Sequence, residues 1–416
     1  MLPEALSGVL AGVRVLALEQ AVALPFATRH LAQLGAEVIR VQSYERARPP
    51  ELPAIDLTRG KSQIGLNLAA AGAPELFLKL AANSDIVAHN FTPRVVRKFG
   101  IDYDAVRAVK EDVIYVSLTG FGTTGPWGER PLFGPGAEAV GGHNLLVGDP
   151  EEWPGRPGTG VYADDTCGLY AAMAMLGALD ERERTGRGQH IDISLYETMV
   201  AHLGPVLAER SRGAEAGRVL NRDVRFAVHE VFDTAGLDRH IAIAATSDQL
   251  DALGACLGIQ AVTSETIAAA VADRDGTDLE QRLQAAGIAA SITADAHDNL
   301  TDPHLWERRY FDVRELPTED GPVPYPHPGA TWGGLTPHVA TEPRYVGEDN
   351  EDVLARVAGL TPEEIASLEA SGAVGSTGPV VAVGRRKASA EDQVRIDRGE
   401  LSRVDAPVDW RAFVVR

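Results

Sequence analysis

Apolar residues recur along the chain in two rhythms, and their alternation predicts the fold. Val13-Arg-Val-Leu-Ala-Leu18 is a near-continuous apolar run of strand length, as expected of a buried strand. Helical spacing follows from Pro25 to about Leu34, with Gly35 as the stop. Glu37–Gln42 is the next apolar run. Strand, helix and strand in that order predict a βαβ unit and a parallel sheet. The pattern continues with a helix over 74–82, a strand at Ile86–Asn90, a short helix from Pro93 and a strand over Asp112–Leu118. Ala171–Leu179 is rich in strong helix formers. Thr185–Gln189 reads as a turn, His190–Leu195 as an alternating strand, and Glu197 to about Glu209 as a helix.

Residues 211–224 are polar and glycine-bearing, which predicts a domain boundary and a large domain over 1–215. Residues 226–325 read as a smaller α/β domain. It holds a strand at His240–Ala245, Ser247 as the cap of a helix over 248–257, helices near 263–272 and 278–285, and a strand at Ile288–Ile292. Pro322–Pro328 is too rich in proline for a central strand and predicts a linker or a strap. Residues 326–373 contain a capped helix from Thr361, and 374–416 form a polar extension without a functional reading.

Composition narrows the function. The chain has 416 residues, 44% of them hydrophobic, enough for two domains. Its net charge of −20 disfavours nucleic acid and anionic membranes as partners. Two cysteines, Cys167 and Cys256, form no disulfide framework or cysteine-rich metal site. The N-terminus lacks a signal-peptide pattern, and no apolar run reaches the ~18 residues of a membrane span. A soluble cytoplasmic protein is therefore expected. The first βαβ unit lacks Gly-x-Gly-x-x-Gly, so no dinucleotide cofactor is indicated.

Candidate chemistry gathers in a few stretches. Asp164 and Asp165 lie just ahead of the longest helix, where two readings stand. They could cap the helix, or one could be a nucleophile with Gly168 letting a ligand approach closely. Arg40, Arg46, Arg48, Arg59 and Lys61 form either a phosphate-facing patch or a solvated loop. The helix from Pro93 carries Arg94, Arg97 and Lys98, a plausible anion site. Thr119–Pro126 is a glycine-rich loop after a strand.

Several of these stretches occur together in a recognisable order. They are Leu34–Val41, Asn90-Phe-Thr-Pro93, Gly120-Phe-Gly-Thr-Thr-Gly-Pro126, Ala163-Asp164 with Gly168, Thr185-Gly-Arg-Gly-Gln189 and Leu300-Thr-Asp-Pro303. With them the chain resembles the family III CoA-transferases over about 10–373. The resemblance implies a large Rossmann-like α/β domain of N- and C-terminal parts, a small inserted domain and an interlocked homodimer. It implies Asp164 as nucleophile, with Asp165 in a capping or supporting role. It also implies CoA binding at Val22, Ala23, Leu66, Asn67, Asn90, Phe91, Lys98 and Arg97, with Arg40 and Lys61 as weaker candidates. CoA would be a co-substrate, with an acyl-CoA and a carboxylic acid as reactants and no metal or permanent cofactor.

Departures from the family pattern shape the substrate expectation. Leu24 replaces a glycine, Gly134 an acidic residue, Arg94 a glycine, and Val22 a glutamine of the formyl-CoA transferases. They point away from the formyl–oxalate pair and towards a less polar acid. The related 2-methylacyl-CoA racemases use a His-Asp pair where this chain has Gly134-Pro135, and a Glu where it has Ser247. Racemase chemistry is thus disfavoured, and His143 reads as a loop histidine. A non-catalytic CoA-binding dimer and an enzyme needing a homologous partner chain remain open. Glu138 reads as a surface residue, with a polar contact to the site as the alternative. Arg222 or Arg225 is a candidate partner for a dicarboxylate.

Overall fold

The computed structural model describes residues 8–47, 56–151, 153–157, 161–213, 217–315, 322–326 and 344–378. Arg48, the last two residues of the proline-rich strap and the extension beyond 378 lie outside the described residues. The chain divides into two compact units.

The larger unit is built on a six-stranded sheet. Its strands are β1 (Arg14–Leu18), β2 (Glu37–Gln42), β3 (Lys61–Gly65), β4 (Ile86–His89), β5 (Ile114–Thr119) and β6 (Gln189–Ser194), in the order β3-β2-β1-β4-β5-β6. Every neighbouring pair is parallel. The order reverses between β1 and β4, where Leu18 pairs with His89. In open α/β sheets the crevice beyond the strand ends at such a reversal is the usual ligand position.

The helices of this unit are α1 (Ala23–Gln33), α2 (Ala73–Ala82), α3 (Pro93–Lys98), α4 (Tyr103–Val109), α5 (Gly134–Val140), α6 (Tyr162–Thr185), α7 (Leu195–His202) and α8 (Gly204–Ser211). Both sheet faces are covered, which explains the apolar runs read from the sequence. Val15, Ala17, Ile86, Ala88, Ile114 and Val116 pack with residues of α1 and α6. Leu16, Leu18, Ile39, Val87 and Tyr115 pack on the other face with α2 and with Val353, Leu354 and Ile365 near the C-terminus. Those last residues belong to helices at Asn350–Arg356 and Pro362–Ala370, the second closed by a Thr361–Glu364 capping box.

The helix expected from Glu197 to about Glu209 is two helices. Pro205 in the first turn of α8 has no N–H with which to continue α7.

The smaller unit contains 218–309. An antiparallel sheet of β7 (Val228–Asp233), β8 (His240–Ala245) and β9 (Ala289–Ile292) carries α9 (Leu250–Leu257), α10 (Ser264–Val271) and α11 (Gly276–Ala285) on a shared core. Thr246, not Ser247, makes the cap before α9, through a capping box with Gln249. The expected boundary at 325 also moves. Phe311–Glu315 and Pro322–Pro326 group with the larger unit, where they pair as a two-stranded ribbon. Arg59 donates to the Pro326 carbonyl at 2.7 Å and ties that ribbon to the larger unit. Proline is acceptable in such a ribbon because it has no central strand to interrupt.

Candidate active site

The site starts at the end of β1. Glu19 follows the strand directly and is 1% exposed. Its carboxylate accepts from Lys61 Nζ at 2.6 Å and from Thr28 Oγ1 at 2.6 Å, and Arg40 Nε lies 3.2 Å away. Lys61 also donates to Thr28 Oγ1 and the Pro25 carbonyl. A buried charge is tolerated only when paired and fully hydrogen-bonded, and this network meets that condition for Glu19 and Lys61. Burial lowers Lys61 to about 8 against the opposing pull of Glu19. The expected phosphate-facing patch is therefore corrected. Arg40, Arg59 and Lys61 are buried, and Arg40 and Lys61 spend their charge inside the protein on Glu19.

That network holds the segment from Gln20 to Pro25 in place. Ala21 has φ 54°, a left-handed backbone uncommon for a residue with a Cβ. Asn90, just after β4, grips the same segment. Its Oδ1 accepts from the Gln20 N–H at 3.0 Å and its Nδ2 donates to the Gln20 carbonyl at 2.7 Å. The two crossovers flanking the sheet reversal are thus locked together.

Asp164 enters from α6. The helix begins at Tyr162, so Asp164 and Asp165 occupy its first turn, and neither carboxylate caps it. The cap reading of these residues is overturned by two residues of helix. Asp164 is 7% exposed, and the backbone N–H groups of Ala23 and Gly134 lie near enough to its carboxylate to favour the charged form. Gly134 opens α5, and a Cβ there would stand 1.9 Å from Asp164 Oδ2. The carboxylate fills the space that any other residue at 134 would need.

Burial raises the Asp164 carboxyl to about 6, with Asp165 and Glu138 adding to the rise and the two backbone N–H groups opposing it. The helix start alone favours the ionised form, but desolvation wins. Glu138, expected at the surface, is 1% exposed on α5. Its Oε2 accepts from Arg156 at 3.1 and 3.2 Å, and its Oε1 from the Ala163 N–H at 3.4 Å. It is the site residue that sequence reasoning misplaced. Its signal was its place one helical turn after Gly134, on the same face of one helix.

Gly168 also has a different role from the expected one. A Cβ there would meet the Ala23 carbonyl at 2.6 Å and Phe26 at 3.0 Å. The glycine lets α6 lie close against α1, and this brings Asp164 up to the Ala23 N–H. Cys167 is buried beside it, its thiol pushed up to about 12 by burial.

Asp164 lines a cleft of about 180 Å³ at the sheet reversal, together with Gln20, Ala23, Asn90, Phe91 and Thr119. Thr119 Oγ1 is buried there without a hydrogen-bond partner. The remaining wall is mostly apolar, with Val95, Leu118, Leu132, Phe133 and Leu195 beside Thr92.

Of the residues expected to bind CoA, Ala23, Asn90 and Phe91 share this cleft with Asp164. Val22 adjoins Ala23 as the residue before α1. Leu66 and Asn67 follow β3, where their N–H groups donate to the carbonyls of Gln42 and Ala373. Lys98 is exposed at the end of α3, its Nζ 5.2 Å from the Phe99 ring centroid. Arg97 lines a separate cavity with His89, Tyr103 and His190. The anion site expected at the start of α3 is taken by the protein's own Glu129, which accepts from the Arg94 N–H and pairs with Arg97. Arg225 pairs with Asp223 in the smaller unit.

Comparison with known proteins adds identity to this geometry. The succinyl-CoA–D-citramalate CoA-transferase of Chloroflexus aurantiacus is 28% identical over 395 residues, 86% of this chain and 96% of that enzyme. The β subunit of the succinyl-CoA–L-malate CoA-transferase of the same organism is 36% identical over 201 residues, 46% of this chain and 50% of that subunit. The chain thus spans about half the length of some curated relatives it matches. Among solved structures, a CAIB/BAIF family protein from Brucella suis aligns with a TM-score of 0.75 at 26% identity, over 84% of this chain and 99% of that one. The sequence profile described as CoA-transferase family III matches residues 10–350, and the chain belongs to that family.

Proposed function

We propose that the protein is an acyl-CoA:carboxylate CoA-transferase that carries CoA on Asp164. The observation that carries this reading is the Asp164 carboxylate, buried at the sheet reversal against the N–H groups of Ala23 and Gly134. With its carboxyl at about 6, Asp164 is ~90% ionised at pH 7. The ionised carboxylate attacks the thioester carbonyl of an acyl-CoA. The C–S bond breaks, leaving a mixed anhydride and CoA thiolate. The thiolate attacks the aspartyl carbonyl, which releases the first carboxylate and leaves an aspartyl-CoA thioester. An acceptor carboxylate then reverses these steps, and the Asp164 carboxylate is regenerated. The N–H groups that receive the charged carboxylate are suited to the oxyanion of each tetrahedral intermediate.

Relatives are named for transfers involving succinyl-CoA, L-malate, D-citramalate, mesaconate and oxalate. The wall of this cleft supports a less polar acid. Among the described residues, its lining includes no Lys or Arg to pair with a second carboxylate. CoA is a co-substrate here, and a homodimer in solution is the working unit of this reading. Two relatives are named as subunits of one enzyme, so a homologous partner chain is the competing arrangement.

The test is a transfer assay on the purified chain alone, with a panel of acyl-CoA donors and acids resolved by chromatography. Apolar monocarboxylates should accept CoA faster than succinate or malate, and Asp164→Ala should abolish transfer. A faster reaction with dicarboxylates would overturn the substrate assignment. Activity only after a homologous chain is added would overturn the homodimer.

A further inference from the structure

Glu138 has no part in the reaction steps above, yet it is among the most deeply buried charges of the larger unit. It lies on the same helix as Gly134, four residues on, and so faces α6 from the same side. One oxygen receives the Ala163 N–H, the residue immediately before Asp164. The other is held by two nitrogens of Arg156. Arg156 is 42% exposed at its side chain, so the pair runs from solvent to the base of the site. A carboxylate this buried costs several kcal/mol without a partner, and besides Arg156 its hydrogen-bond contact is the first turn of the helix that carries Asp164.

We propose that Glu138, clamped by Arg156, is a positioning residue that fixes the first turn of α6 and sets an acidic side chain behind Asp164. This deepens the transferase reading and rests on it for its functional meaning. The charged and titratable groups facing Asp164 are Asp165 and Cys167 on its own helix and Glu138 on α5, with the Ala23 and Gly134 N–H groups opposing them. Arg29 and Asp56 act on Asp165, and Arg156 acts through Glu138. A negative charge behind the nucleophile holds back its ionisation. It also raises the basicity, and so the nucleophilicity, of the ionised carboxylate. Glu138 never touches the substrate in this scheme.

The test reads Asp164 directly and needs no turnover. Protein labelled with ¹³C at the aspartate carboxyls is titrated by NMR, with Asp164→Asn identifying the resonance. The Asp164 midpoint should fall by ~0.5 pH unit or more in Glu138→Gln, which keeps the shape and one acceptor oxygen but loses the charge. It should stay raised in Glu138→Asp, which keeps the charge. If Glu138→Gln does not fold, Arg156→Gln is the second variant, on the exposed end of the pair. Removing the counter-charge should raise the midpoint. An unmoved midpoint in the folded variants overturns the proposal. Failure of the transferase reading shows separately, as a wild-type protein with the expected titration shifts and no CoA transfer.

Discussion

At the scale of single residues, the site is a conflict between burial and charge. Asp164 would ionise near 3.8 in water, but in the folded chain its carboxyl is raised to about 6. A raised carboxyl favours the protonated form. The stability it contributes is fully present below the ordinary value and is lost as pH rises through about 6. The ionised form needed for attack therefore destabilises the fold by ~1–3 kcal/mol at neutral pH. Asp164→Asn, always neutral, should unfold at higher urea than wild type at pH ~7.5, with the gap closing by pH ~4. Equal midpoints at the higher pH would contradict the burial.

Gly134 makes a sharper claim. Gly134→Ala drives a Cβ into Asp164 Oδ2 and should slow CoA transfer by at least ~10-fold while the protein stays folded. Near-normal rates with normal circular dichroism would show that the carboxylate does not need its present place.

What the sequence disclosed at this scale was uneven. The spacing of Asp164 to Gly168 marked it only together with the family resemblance. Its environment was not legible, because it includes Glu138, which accepts the Ala163 N–H from 25 residues away. Gly168 suggested space for a ligand and instead provides space for a neighbouring helix. A glycine's reason is a contact, and the contact lies outside the local pattern.

At the scale of elements, the crossover from β1 to α1 is the piece that makes the site. It carries the Ala23 N–H, and it is anchored from below by Glu19 and Lys61 and from the side by Asn90. Strands and helices were legible here because both sheet faces are buried and the apolar runs are long. The anchor was not. Lys61 and Glu19 are 42 residues apart, and a run of basic residues reads as surface until its partner is placed.

Lys61→Met leaves Glu19 facing Arg40 alone and should destabilise the protein by ~3 kcal/mol in denaturant titration, with transfer activity falling as the crossover loosens. Adding Glu19→Gln should recover part of that loss. Additive effects of the two substitutions would show that the pair does not anchor the segment.

At the scale of the whole molecule, the order β3-β2-β1-β4-β5-β6 puts the reversal, the anchored crossover and the start of α6 at one place. The parallel sheet followed from the βαβ pattern. The return of the C-terminal helices to the first core did not follow from periodicity and came instead from the ordered set of family motifs. Charge behaves likewise. The net −20 disfavours polyanions as a bulk property, while a CoA ester needs only a local site.

The central claim is a covalent one, that CoA passes through Asp164. Intact-protein mass spectrometry after incubation with a panel of acyl-CoA donors tests it most directly. Wild type should gain the mass of CoA less one water, hydroxylamine should remove it, and Asp164→Ala should show no gain. The same adduct in the Asp164→Ala variant, or CoA transfer by wild type with no adduct at any time point, would contradict the account.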